Sequence, residues 1–441
     1  MDSLQYSRIP VRPISRTPHF LTISKIMLHR RHFMERAAKA AFGLSILPNA
    51  VRGTEIQSTQ GMAGFGSAKR IIFINVKGGM SHIDTFDPKQ GKAKGPADAI
   101  KTSADFQVTE YLPHTAKVAD KISLIRTMSA KIGVHAPAQY FMRTGFAERN
   151  TIKHPNLGAW AQHYLGASHD TLPSSACINE PPRYGNGFFG PTFSPIPILE
   201  PSRGLDNIKT EDGVPRLKSK LELADALSQQ FVSKYHDSNV SAYRDFYNET
   251  LRLLRSDDLK AFDLNQVPKA TRELYGDSKF GQGCLLAKRL VEAGVRFVEV
   301  TSDGWDMHQD IKGDMDDIAP SFDQGYAALI RDLEGSGMLD STLVVLATEF
   351  GRKPDYKGAG RGHYPLCFTV GLAGAGVKRG FVLGESDEMG ATADVSRTVG
   401  DFHATIAHAA GIPREKAFVT AIGRPFHVGG TKAKPILEMF A

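Results

Sequence analysis

From residue 70 onward the chain alternates short apolar runs with amphipathic stretches of helical period. Ile71-Ile72-Phe73-Ile74-Asn75-Val76 is a continuous β-type run ended by Gly78-Gly79, the pattern of a strand buried on both faces. Phe280 to Ala293 carries Leu285, Leu286, Leu290 and Val291 on one helical face, with Gly294 placed to cap it. Strand-like runs follow at Arg296 to Thr301, Thr342 to Ala347 and Leu366 to Leu372. Helices are expected over Ser321 to Leu333 and over Asp401 to Ala410, the latter stopped by Gly411-Ile412-Pro413. Between these, residues 100–260 mix short helices with Pro-rich loops, and residues 217–255 read as helical and amphipathic. Strand and helix alternate repeatedly, which predicts an α/β fold with a mostly parallel central sheet and helices on both faces. There is no internal repeat, and 70–441 reads as a single domain.

Charge changes the picture only at the N-terminus. The net charge of +7 would suggest a nucleic-acid partner, but residues 1–52 hold nine basic and two acidic residues, and the remainder has 45 of each sign. The body is neutral, so a nucleic-acid interface is not expected. In the basic segment, Arg30-Arg31-His32-Phe33-Met34 precedes a small apolar run from Ala37 to Leu47 and then Pro48-Asn49-Ala50. This is the order of a bacterial export signal, with the arginine pair of the twin-arginine (Tat) route. Residues 27–52 are therefore expected to be a Tat signal read by the Tat export machinery. Residues 1–26 read as an extension from a misassigned start, and 53–69 as a linker. The expected location is periplasmic or extracellular. The apolar run is too short to span a bilayer, and no other segment approaches the length of a membrane anchor. Cys177, Cys284 and Cys367 share no metal-type spacing, and their apolar contexts predict buried free thiols.

Chemistry concentrates where strands end. In open parallel sheets, ligands gather outside the carboxyl ends of the strands. The first strand exits into Gly78-Gly79-Met80-Ser81-His82-Ile83-Asp84, and the strand ending at Thr301 exits into Asp303-Gly304-Trp305-Asp306-Met307-His308. The strand ending at Ala347 exits into Glu349-Phe350-Gly351-Arg352, with Gly362-His363 eleven residues later. Carboxylates, imidazoles and a guanidinium converging there form the inventory of an oxygen- and nitrogen-ligated divalent metal with an anion clamp. On this reading Asp84, Asp306, His308, Glu349 and His363 are candidate metal ligands, and Arg352 clamps an anionic group. A metal there would activate a bound water or polarise an ester oxygen. His135, on its own sequence, is a loop histidine.

These segments, with His154-Pro155-Asn156-Leu157-Gly158-Ala159-Trp160, Phe280 to Arg296, Thr348-Glu349-Phe350-Gly351-Arg352 and Gly360-Arg361-Gly362-His363-Tyr364-Pro365, resemble DUF1501 over essentially the whole chain after the leader. That family in turn resembles the alkaline phosphatase and sulfatase superfamily, whose enzymes hydrolyse phosphate or sulfate esters with divalent metals and a covalent nucleophile. The resemblance implies an alkaline phosphatase-like fold and an exported metal-dependent hydrolase of sulfate or phosphate esters, acting on a small-molecule or glycan substrate. It also implies roles. His363, Asp306 and His308 match metal ligands by order, and Glu349 stands where the superfamily has an Asp. Phe350 occupies the place of a coordinating His. His135-Ala136-Pro137 to Thr144-Gly145 has the span of the sulfatase nucleophile motif, which puts His135 at the nucleophile position as nucleophile or ligand and excludes formylglycine chemistry. Lys77-Gly78-Gly79 replaces the first-strand Asp ligand, leaving Asp84 to substitute. One divalent ion (calcium, zinc, magnesium or manganese) is the expectation. The same departures support an alternative: a catalytically inactive member that binds glycans or protein partners outside the cytoplasm.

Overall fold

The computed structural model describes residues 56–205, 219, 222–223, 226, 249–356 and 359–441. The leader and most of the amphipathic segment expected at 217–255 lie outside these residues; the end of that segment, 249–254, is helical. No helix among the described residues is long and apolar enough to cross a membrane.

The first apolar run forms β1 (Arg70–Val76), with every residue after Arg70 buried. Its side chains alternate between two cores. Ile72, Ile74 and Val76 pack with one apolar cluster, whereas Ile71 and Phe73 pack with the other. A strand covered on both faces has no polar side to show, which is why its sequence is apolar apart from Arg70 at its start and the buried Asn75. β2 (Ile122–Ser129), β3 (Ser175–Ile178), β5 (Phe297–Ser302), β6 (Thr342–Thr348) and β7 (Phe368–Ala373) are buried in the same way, apart from the half-buried Arg126 and Ser129 of β2, though they admit polar residues such as Glu299 of β5. With β4 (Ile196–Ile198), β8 (Val382–Leu383) and β9 (Arg397–Thr398) they make a nine-stranded sheet in the order β8-β2-β7-β6-β1-β5-β3-β4, β9 pairing with β2. Only β7 runs antiparallel to its neighbours, β2 and β6. The expected α/β architecture, a mostly parallel sheet with helices on both faces, is what the chain adopts.

The helices cover the two faces. Helix α3 (Lys279–Ala293) and helix α4 (Ile311–Gly335) contribute to one core; α2 (Leu157–Leu165) and α5 (Val399–Ala410) contribute to the other. The anticipated cap forms, Gly294 taking the left-handed conformation at φ 113°, and at the other end the Ser278 side chain accepts from Gly281 N. Helix α4 corrects the sequence reading, which started it at Ser321. It begins ten residues earlier, capped by Asp310, and continues through Pro320. The buried stripe Ile311, Met315, Ala319, Phe322 and Tyr326 crosses the proline without interruption, so packing outweighs the hydrogen bond the ring removes. Cys177, Cys284 and Cys367 are all buried and unpaired.

Candidate metal centre

Strand direction gathers the chemistry at one rim. β6, β1 and β5 are adjacent and parallel, with Val76 opposite both Thr348 and Ser302, so their exits lie side by side. β2 runs the same way, because β7 is antiparallel to both β2 and β6. It leads through residues 130–134 into α1 (His135–Thr144), whose first residue is His135. After β6 the chain folds back as a short ribbon in which His363 is the antiparallel partner of Arg352. The rim is tight enough to need glycine: Gly78 has φ +120°, and a Cβ there would sit 2.6 Å from the Asp306 backbone nitrogen.

At the centre is one oxygen, Asp306 Oδ1. His308 Nε2 lies 2.9 Å from it, His135 Nε2 3.1 Å and His363 Nε2 3.2 Å, and Arg352 Nη2 donates to it as well. The other ring nitrogens fix the tautomers. His363 Nδ1 faces the Gly133 carbonyl at 2.8 Å, and His135 Nδ1 faces Glu349 Oε1 at 2.7 Å. Both partners are acceptors, so both Nδ1 atoms carry the proton and donate it. In the neutral rings the Nε2 lone pairs then converge on a carboxylate oxygen. His135 Nε2 is buried and makes no hydrogen bond, while His308 and His363 bring their Nε2 atoms to 2.9 Å of each other. Arg352 answers part of the repulsion among these lone pairs and the carboxylate, and a divalent ion among the nitrogens would answer the rest. Donor atoms of His135, Asp306 and His363 all fall within 4.8 Å of one another, a spacing one ion can bridge. Below them, the buried Phe350 ring contacts His135 and His363 at centroid distances of 4.9 and 4.7 Å.

The surroundings tune these groups. Burial would push the Asp306 carboxyl up, but Arg352 outweighs it and holds Asp306 well below the usual carboxylate range. The hydrogen bond to Glu349 raises the His135 pKa against the opposing effect of burial, which makes the imidazole more basic. His308 is lowered by burial, with Asp306 opposing.

Of the sequence-predicted residues, the structure brings together His135, Asp306, His308 and His363. His135 is not in a loop but opens a helix; Pro137, two residues on, is tolerated in a first turn whose N–H groups have no intrahelical partner. Glu349 stands behind the cluster, its Oε1 accepting from His135, from Gly78 N at 3.0 Å and from Gln139 Nε2 at 3.2 Å. Arg352 does not fit the anion clamp expected of it. Its guanidinium donates to the carbonyls of Gly79, Arg361, Gly78 and Trp305 and to Asp306, which leaves it tying strand exits together. Asp84 is elsewhere: Arg361 donates to both its oxygens, at 2.6 and 3.1 Å, and Ser81 donates as well, the ion pair being fully buried. Gln139, Arg361 and the Gly133 carbonyl were not foreseen. Gln139 carried a signal, lying four residues after His135 and hence on the same helical face.

The family model described as "Protein of unknown function (DUF1501)" matches residues 68–440. The chain belongs to DUF1501. No curated protein matches it. Solved structures similar to this DUF1501 chain include the lipoteichoic acid synthase LtaP from Listeria monocytogenes, at 12% identity and TM-score 0.37 over 81% of this chain and 76% of that one. The PsFucS1 sulfatase from Pseudoalteromonas sp. gives 11% and 0.38 over 85% and 76%. The phosphonate monoester hydrolase SpPMH from Silicibacter pomeroyi gives 11% and 0.38 over 83% and 76%.

In this DUF1501 chain, α1 is fastened to the sheet by polar rungs four residues apart. His135 and Gln139 reach Glu349, and Arg143 reaches Glu180 and, at 2.8 Å, Glu299 on β5. Burial works against the Arg143 charge, but Glu299 and Glu180 outweigh it and raise its pKa. The rungs set where His135 stands along the rim.

Proposed function

We propose that this protein is an exported, metal-dependent hydrolase of sulfate or phosphate esters. The observation that carries the reading is the convergence of three imidazole Nε2 atoms on Asp306 Oδ1, with the buried His135 Nε2 left without a hydrogen bond. His135, Asp306 and His363 would hold the ion, with His308 beside them. A donor set this rich in imidazole suits zinc better than calcium, magnesium or manganese, which oxygen donors suit. A divalent ion so bound supplies Lewis acidity to an ester oxygen and lowers the pKa of a water.

The chain's own residues do the rest. Glu349 and the Gly133 carbonyl keep the Nδ1 protons of His135 and His363 in place, so each ring presents its Nε2 lone pair. Arg352 keeps Asp306 ionised and its carboxylate oriented. His135 serves in this reading as a ligand, since its Nδ1 is held by Glu349 and its unbonded Nε2 faces Asp306. His308, whose side chain is 44% exposed, sits where a proton passes between the reacting ester and solvent. Export through the Tat route, with residues 27–52 as signal, 1–26 upstream, 53–69 as linker and 70–441 as the catalytic domain, rests on the leader sequence.

The test is elemental analysis of the purified protein together with a panel of sulfate and phosphate esters. About one zinc per chain is expected, with turnover abolished in H363A and D306A. A folded protein that takes up no metal and turns over no ester would leave the binding-protein alternative in its place.

A further inference from the structure

Lys77, the first residue after β1, sends its ammonium to two carboxylates: Asp303 Oδ2 at 2.7 Å and Glu180 Oε1 at 3.5 Å. Asp303 lies three residues before Asp306 on the same strand exit. Glu180 gives its other oxygen to Arg143 of α1, the helix that opens with His135, and accepts there from Thr301 Oγ1 at 3.3 Å. Asp303, Lys77, Glu180 and Arg143 thus form one chain of alternating charge, running from the segment that carries Asp306 to the helix that carries His135. Burial works against the Lys77 charge, but Asp303 and Glu180 outweigh it and raise its pKa.

The backbone holds both ends of this chain in register. Lys77 N donates to the Ser302 carbonyl at 2.8 Å, and Trp305 N donates to the Lys77 carbonyl at 3.2 Å. At the other end Asn179 takes the left-handed conformation at φ 71°, which asparagine tolerates better than other residues with a side chain. Its amide donates to the Thr301 carbonyl at 3.1 Å and the Lys279 carbonyl at 3.3 Å, and the turn so fixed brings Glu180 against α1.

We infer that Lys77 is a positioning residue for the metal centre: its ammonium ties the Asp306 segment to α1 and so sets the 3.1 Å separation of His135 Nε2 from Asp306 Oδ1. An ion bridging two ligands binds well only where their spacing is held beforehand. Without the ammonium, Asp303, 66% exposed, turns to water, and Glu180 keeps only Arg143 and Thr301. The effect on metal affinity rests on the metal-centre reading; the tether itself needs no ion.

Chelator competition for zinc on the full chain, and hydrogen exchange on the metal-free protein, test the two parts separately. K77M should bind zinc about tenfold more weakly than the parent, the lower end of what losing a partner behind a ligand costs. K77R should restore affinity to within about twofold, because a guanidinium keeps the charge and can reach both carboxylates. D303N changes an exposed side chain that the fold does not depend on, and should lose part of the same affinity. In the metal-free protein, the amides of Trp305 and of the first turn of α1, where Ala138 N bonds the Val134 carbonyl, should exchange faster in K77M and at the parent's rate in K77R. Zinc affinity in K77M equal to the parent's, or K77R as weak as K77M, overturns the positioning role. A parent that takes up no zinc overturns the metal centre, and exchange then decides the tether alone: faster exchange at both segments in K77M upholds it, and unchanged exchange overturns it.

Discussion

At the scale of single residues, the site separates groups that touch the ion from groups that aim them. Glu349 has one oxygen committed to three donors, so its contribution to metal binding passes through His135. E349Q should therefore retain stoichiometric metal but bind it roughly 10–100-fold more weakly, the usual cost of losing a partner behind a ligand. D306A should lose the metal altogether. Competition against a chelator measures both, and E349Q matching the parent would contradict the assigned role. Asp84 gives the complementary case. Its partner Arg361 is 1% exposed and also donates to the carbonyls of Ala93 and Pro354. Removing it in R361A leaves a buried carboxylate unpaired and should cost about 3–5 kcal/mol in denaturant unfolding. D84N, by contrast, should keep its full metal content; loss of metal at unchanged stability would return Asp84 to the ligand set.

At the scale of elements, α5 makes a prediction about pH. His403 is fully buried and donates from Nε2 to the Met142 carbonyl of α1 at 2.7 Å, while its Nδ1 has no partner. Burial is the first cause that pushes its pKa down, to about 4. The neutral ring fits the fold and the charged ring does not, so the unfolded chain binds this proton more readily. The stability it contributes is full above the unfolded value of about 6.5 and is lost as pH falls toward 4, a range worth about 3 kcal/mol. H403Q keeps a donor but cannot titrate, so its unfolding free energy should fall less steeply than the parent's between those pH values. Parallel curves would refute this. Elements are also where the sequence was most informative. Strands buried on both faces and helices with capping glycines announce themselves through period and punctuation, as β1 and α3 did. Helix α1 did not. It opens with His135-Ala136-Pro137 and has no side-chain cap at its N-terminus, and what holds it comes from elsewhere in the sequence: Glu299 on β5, Glu349 just after β6 and Glu180 just after β3. The same distance hides the true partners of Arg352 and Asp84. An arginine that reads as an anion clamp from its motif is consumed by backbone carbonyls that only the closed sheet brings near.

At the scale of the whole molecule, the rim joins segments from β1, β2, β5, β6 and the ribbon before β7, so an ion held there ties together parts of the chain hundreds of residues apart. Binding only to the folded state, it must stabilise all of that structure at once. With free metal at a hundred times its dissociation constant, the added stability is about 2.7 kcal/mol. Unfolding entropy near 2.1 cal/mol/K per residue turns this into a rise of roughly 3 °C in melting temperature for a domain of this length. Zinc should produce the shift and calcium, magnesium or manganese much less of it, following the imidazole-rich donor set. D306A should abolish it. A shift of equal size in D306A would mean that the ion binds elsewhere on the surface, and the convergence on Asp306 would then be an internal hydrogen-bonding knot, not a metal centre.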